Sequence, residues 1–207
     1  MANERQKEKR TRMKGEERRE LILARAKHVF ASHSYPEAST GMLAQESDVT
    51  EPMLYRHFGS KKGLFLEVLR TTSERFMERW QKQVNERAEK NILDALSHVI
   101  LDYCTIIKAD PDTHRVFYQA RAELHDPDVA QCVNRHNQKI YAFIAHLLEQ
   151  AKDRGLLVRD TDIHVASWGY MSMVFALQSS QMLELRNGLN DSVLTEMNRL
   201  WLRALQP

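Results

Sequence analysis

Helix breakers are scarce in this chain, and that scarcity constrains its fold more than any other feature. Its 207 residues include only 7 Gly and 5 Pro, and apolar residues between them recur three and four apart. That spacing lines one face of a helix, and nowhere does it give way to the period-two alternation of a half-buried strand. An all-α fold is therefore expected. A first helix is predicted from about Glu16 to Ser32, with Leu21, Ile22, Ala24, Ala26, Val29 and Phe30 facing inward, until Pro36 removes an amide donor and stops it. Ser39 and Thr40 can start a short second helix that ends near Glu46 and buries Met42, Leu43 and Ala44. Ser47-Asp48-Val49 reads as a tight connection, with Asp48 left-handed and Val49 as a buried pin. Thr50 should cap a third helix, Glu51 to Phe58, in which Pro52 occupies the first turn. Gly59 ends it, and Ser60 caps a fourth helix running past Phe76. Further helices are predicted at about 92–108, after Pro111, and at 127–154, 161–185 and 192–205, separated by Asp110-Pro111, Asp126-Pro127, Gly155 and Asn187-Gly188.

Hydrophobic residues at 43% and charged residues at 28% are ordinary for a globular protein and argue against wholesale disorder. No apolar run reaches the roughly 18 residues of a membrane span, and the charged N-terminus lacks the apolar stretch of a secretory signal. The expectation is a cytoplasmic protein with no membrane partner. Cys104 and Cys132 are too few for a disulfide framework and too far apart for a CxxC site. His125, His136 and His146 lie eleven and ten residues apart, not the three or four that put two ligands on one helical face, so no metal is expected. Phosphate-loop, GxSxG and HExxH patterns are all missing, and so are the Glu-x-x-His pairs of a di-iron bundle. Neither enzymatic activity nor a cofactor is expected.

The net charge of +2 conceals an asymmetry: residues 1–70 carry 14 Lys/Arg against 10 Asp/Glu, and the remainder 16 against 18. A basic first third suits contact with phosphate. Two short helices joined by a three- to four-residue turn, the second entered through a proline-started turn, form a unit that places one helix in a major groove. The residues here are specific. Ser34-Tyr35, Ala38-Ser39-Thr40, Leu43-Ala44, Val49-Thr50 and above all Leu54-Tyr55-Arg56-His57-Phe58-Gly59-Ser60-Lys61-Lys62-Gly63-Leu64 resemble the DNA-binding domain of the tetracycline-repressor (TetR) family, over roughly residues 15–65.

The resemblance implies three parts: a basic flexible arm at 1–15, a helix-turn-helix domain at 16–65, and a helical ligand-binding and dimerisation domain at 66–207. It also implies double-stranded operator DNA as partner. Leu54 and Phe58, four apart, share a face and should anchor the third helix. Tyr55 and His57 are expected to reach operator phosphates, as are Lys61 and Lys62 in the first turn of the fourth helix, with Ser39 and Thr40 completing the contact set. Base reading is expected from Thr50, Glu51, Pro52 and Met53, with Arg56 able to offer paired donors to guanine or to phosphate. Family members often carry Lys, Gly and Thr where this chain has Glu51, Pro52 and Met53, and a polar or basic residue in place of Gly41. Glu51 either accepts from cytosine or simply favours the helix dipole. The segment Arg5–Arg19, with eight Lys/Arg, either lies along DNA or is a solubilising tail.

For the C-terminal part the resemblance implies a homodimer and a small-molecule effector that releases a repressor from a palindromic operator. Effector candidates are Phe76, Trp80, Tyr103, Ile107, Phe117, Tyr118, Tyr141, Ile144, Trp168 and Met171, an apolar set suited to a hydrophobic ligand. The segment 161–185 is apolar on several faces and must be covered by more than its own core. The dimer face is therefore expected at Trp168, Met171, Phe175, Val193, Leu194, Met197, Leu200 and Trp201. The competing reading is a helical interaction protein that does not use DNA.

Overall fold

The structure is a computed structural model that describes residues 2–182 and 190–207, with side chains at 15–180 and 190–207. Among the described residues it holds nine helices and no strand. They are α1 (Ala2–Ser32), α2 (Thr40–Glu46), α3 (Glu51–Phe58), α4 (Lys61–Ala88), α5 (Ile92–Ala109), α6 (Pro111–Ala122), α7 (Pro127–Asp153), α8 (Ile163–Met182) and α9 (Asp191–Arg203). Most boundaries fall within a residue or two of the expectation. The predicted end at Leu185 and the Asn187-Gly188 break lie outside the described residues. No described helix is long and apolar enough to cross a membrane.

The chain divides into two compact units, Met1–Thr72 with Arg115–Cys132, and Ser73–His114 with Val133–Pro207. The N-terminal unit is thus larger than residues 16–65. Part of the reason is electrostatic: Lys62 Nζ, at the start of α4, lies 2.7 Å from Asp126 Oδ2 and 2.6 Å from Asp128 Oδ2. A link between residues so distant in sequence leaves no local pattern.

In the N-terminal unit α1 buries Ile22, Leu23, Ala26, Val29 and Phe30, the residues that one stripe of a 3.6-residue helix can carry. Leu21, by contrast, is 51% exposed and Ala24 also faces out, so the inward stripe runs through Leu23 instead. Helix α1 continues back to Ala2, through the segment expected to be a flexible arm. Leu43 and Ala44 of α2, Leu54 of α3, and Leu64, Phe65, Val68 and Leu69 of α4 complete the buried set. Asp48 takes φ 53° in the α2–α3 turn, the left-handed geometry that Asp tolerates better than most side chains. The residue buried in that turn is Ser47, 2% exposed, whereas Val49 is only half-buried.

In the C-terminal unit α5 contributes Ile92, Leu96, Val99, Ile100, Tyr103 and Ile107 to one core with Trp80, Val84, Ile140, Ile144, Leu147, Leu148, Tyr170 and Val174. Each large side chain buried in this way stabilises the fold by about 1.5–3 kcal/mol. Helix α9 is fastened to α5 by Asn198, which is fully buried and donates from Nδ2 to the carbonyls of Leu96 (3.0 Å) and Ser97 (2.8 Å). It meets α8 at Trp201, whose indole donates to the Ala166 carbonyl at 3.0 Å. A Cβ on Gly169 would come 3.0 Å from that indole ring, so the small residue permits the close approach.

Candidate nucleic-acid interface and sensing unit

The helix-turn-helix is assembled by caps. Ser39 holds an extended backbone and its side chain accepts from Met42 N, starting α2. Thr50 occupies the equivalent place before α3 with extended geometry but makes no side-chain cap bond, and entry into the helix rests on Pro52 in its first turn. Glu51 reaches back across the turn and accepts from Thr40 Oγ1 at 2.6 Å. Both residues of that pair were expected at DNA, and the structure joins them to each other. Gly59 ends α3 at φ 73°, and Ser60 Oγ accepts from Gly63 N at 2.9 Å to open α4. A Cβ at Gly63 would lie 2.1 Å from the Phe58 carbonyl oxygen, so the base of the recognition helix presses against the first turn of α4 at a point only glycine allows.

Leu54 is 4% exposed and Phe58 half-buried, the anchoring face. Tyr55 is 46% exposed, Arg56 and Pro52 are exposed, and Met53 and His57 are half-buried. Helix α3 therefore presents Glu51, Pro52, Tyr55 and Arg56 to solvent. Lys61 Nζ donates to the Tyr35 carbonyl at 2.8 Å and stands 4.4 Å from the centre of the Tyr35 ring. Lys62 is held by Asp126 and Asp128, which raise the pKa of its ammonium above the usual lysine value. Both lysines in the first turn of α4 thus have internal partners.

Arg19 belongs to the segment read as an arm, yet it is part of the domain's framework. Its guanidinium lies 5.1 Å from the Phe58 ring centre and 2.5 Å from Glu67 Oε1. Glu67 also receives Arg70, and these hydrogen bonds, Arg70 first and then Arg19, hold its carboxyl down at about 2. Arg19, Tyr35, Glu67, Asp126 and Asp128, which partner residues of this region, were not among the predicted site residues. Tyr35 lay within the recognised motif without a role assigned to it, but the long-range pairs had no periodic or compositional signal.

Among the effector candidates Phe76, Trp80, Tyr103, Ile107, Ile144 and Met171 are buried. Phe76, Trp80 and Tyr103 are at the centre of an aromatic cluster completed by Phe143 and Tyr170, with ring centroids 5.0–6.2 Å apart. Its polar edges are few. Gln178 Nε2 donates to Tyr103 Oη at 3.2 Å, and Ser73 Oγ and His136 Nδ1 are 2.9 Å apart beside the Phe76 ring. Burial, with the charge of Lys139, lowers the His136 pKa to about 3. Phe117 and Tyr118 belong to the N-terminal unit, Phe117 buried and Tyr118 39% exposed. Tyr141 and Trp168 stand apart from the cluster: Tyr141 Oη is 2.8 Å from His164 Nδ1, and the Tyr141 and Trp168 rings are 6.0 Å apart on an exposed face. An open groove of about 670 Å³ between the start of α5 and α9, lined by Asp94, His98, Leu101, Arg199, Leu202 and Arg203 among others, contains none of the ten candidates.

The dimer candidates also divide. Val165 (64% exposed), Trp168 (49%), Val193 (41%) and Leu200 (54%) form an exposed apolar set on α8 and α9, with Phe175, Met197 and Trp201 half-buried. Met171 and Leu194 are turned into the protomer's own core at 2% and 1% exposure. Val165 adjoins this set without having been predicted for it. No group of three or more metal-ligating side chains occurs among the described residues. Neither Cys104 nor Cys132 is in a disulfide, and burial pushes the Cys104 thiol up to about 11.

Known proteins match this arrangement. The profile of the bacterial regulatory proteins, tetR family, covers residues 22–68, from the core of α1 into α4. The chain is 27% identical over 150 residues to the uncharacterized HTH-type transcriptional regulator YezE of Bacillus subtilis (strain 168), covering 69% of this chain and 75% of that one. It is 34% identical over 65 residues to the HTH-type transcriptional regulator QacR of Staphylococcus aureus (strain Mu50 / ATCC 700699), covering 31% of this chain and only 35% of that one. The fold is shared with the transcriptional regulator FadR from Bacillus subtilis, solved in complex with stearoyl-CoA, at a TM-score of 0.72 and 16% identity over 90% of this chain and 96% of that one. The capped helix-turn-helix and the all-helical C-terminal unit are thus similar, in local sequence and in fold, to DNA-binding transcriptional regulators of the tetR family.

Proposed function

We propose that the protein is a homodimeric, ligand-responsive repressor that binds a palindromic operator and is released by a small hydrophobic effector. The observation that carries the DNA part of this reading is the solvent-facing surface of α3, with Tyr55 and Arg56 side by side and the first turn of α4 directly behind it. Tyr55, His57 and the α4 lysines serve as positioning contacts, and Arg56 with the first turn of α3 reads bases. A single helix-turn-helix offers too small a contact for specific binding. The exposed apolar set on α8 and α9 supplies the means of pairing two protomers, and a two-fold dimer reads a palindrome.

The aromatic cluster around Trp80 supports an apolar effector, and so does the likeness to a fold whose ligand in one solved structure is stearoyl-CoA. Effector binding shifts the dimer toward a spacing of recognition helices that no longer matches successive major grooves, roughly 34–36 Å apart. DNA is met in the cytoplasm, where the protein acts.

Selection of randomised duplex by the purified protein, followed by titration of the enriched site across salt concentrations, tests this reading. A palindrome bound with steep salt dependence is the expected result. Failure of a folded dimer to enrich any sequence at low salt would favour the interaction-protein reading. Insertion of the enriched site ahead of a reporter then separates repression from activation.

A further inference from the structure

The first turn of α4 presents a lysine next to the recognition helix, yet two carboxylates of the same unit already hold it. Lys62 Nζ is 2.7 Å from Asp126 Oδ2 and 2.6 Å from Asp128 Oδ2. Asp126 does not depend on the lysine for its position. Its Oδ1 accepts from the backbone amides of Asp128 (2.9 Å) and Val129 (3.4 Å), the N-terminal cap of α7. Glu123 acts on Tyr35 together with Asp126, so the α6–α7 corner gathers three carboxylates on this side of the unit. The lysine can exchange partners on its flexible stem, its side chain being 38% exposed against 26% for Asp126.

We infer that Asp126 and Asp128 act as an internal counter-ion for Lys62 which operator phosphate must displace, so that they set DNA affinity without touching DNA. The inference rests on the proposed role of Lys62 as a phosphate contact. Exposed ion pairs are individually weak and easily exchanged, and a phosphate that captures the lysine releases condensed counterions as well. The exchange is therefore open to the lysine. Asp126 stays behind, capped in place, and with Asp128 beside it is a standing competitor close to the phosphate backbone.

The test measures binding of the full-length chain to a mixed-sequence duplex of about three helical turns at several salt concentrations. Four proteins are compared: wild type, Asp126→Asn/Asp128→Asn, Lys62→Gln, and the triple variant. Asn retains the capping oxygen, so the double variant keeps α7 intact, and circular dichroism confirms it. The double variant should bind about three- to tenfold more tightly at low salt, with a similar salt slope, because Lys62 reaches one phosphate in both proteins and only the cost of displacing the aspartates is removed. In the Lys62→Gln background the same aspartate changes should give no gain. Equal affinity for wild type and double variant would overturn the inference and leave the DNA-binding reading standing. So would a gain that persists without Lys62, since the aspartates would then act only through their general field. Absence of binding by wild type and double variant alike would overturn both.

Discussion

Lys61 Nζ donates to the carbonyl of Tyr35 at 2.8 Å while lying 4.4 Å from the centre of the same residue's ring. One side chain thereby fastens the start of α4 to the α1–α2 connection, using the charge twice. Replacement by Met keeps the stem and removes both interactions. A partly buried, charge-assisted bond and a cation–π contact together predict a loss of about 1–3 kcal/mol, read from urea denaturation. Because the proposed DNA role of Lys61 is positional, affinity for every operator variant should fall by a similar factor.

Gly63→Ala places a methyl group 2.1 Å from a backbone oxygen that cannot swing away. Overpacking of this kind costs about 1–3 kcal/mol, and relief must come from separating the end of α3 from α4. The expected outcome is a lower Tm together with DNA binding weakened beyond what the stability loss explains, since folded protein at low temperature still carries a displaced recognition helix. Calorimetry and titration of the same sample check the two effects.

His136 is held neutral by burial, with a folded pKa of about 3 against an ordinary 6.5. Between those values the unfolded chain takes up a proton that the native one refuses, so stability falls as pH drops from 6.5 toward 3 and is unaffected above 6.5. The slope from this residue is at most about 1.4 kcal/mol per pH unit. His136→Gln, which preserves a polar partner for Ser73, should flatten Tm against pH between 6.5 and 4. An unchanged profile would show that the imidazole titrates normally.

Trp168→Glu and Leu200→Glu introduce charge on exposed positions of α8 and α9. The protomer's own core is untouched, so its helicity should persist. Sedimentation should shift from dimer to monomer at micromolar concentration, and operator binding should fall with it, because a half-site alone lacks the contact area.

Helices were legible in the sequence wherever periodicity and punctuation agreed. Pro36, Gly59, Asp110-Pro111 and Asp126-Pro127 each marked a boundary, because a missing amide or a left-handed backbone is a property of the residue itself. The inward face of α1 was less legible: a run as apolar as Leu21-Ile22-Leu23 fits two stripes one residue apart, and packing chose the one through Leu23. The recognition motif could be found from sequence, but not the partners of its side chains. Thr40 with Glu51, Lys61 with Tyr35, and Lys62 with Asp126 join residues 11, 26 and 64 positions apart. Only the folded chain defines such pairs. Met171 and Leu194 illustrate the same limit, since composition cannot say which face of an apolar helix meets its own core.

The three tryptophans occupy three different environments: Trp80 is fully buried, Trp201 is half-buried against Gly169, and Trp168 is 49% exposed. The protein consequently carries its own optical probes. A Trp168→Phe variant would leave emission dominated by the interior indoles, and the difference from wild type would isolate the exposed ring. Burial of that ring against a second protomer would move its emission to shorter wavelength and shield it from iodide, so self-association could be followed without any attached dye.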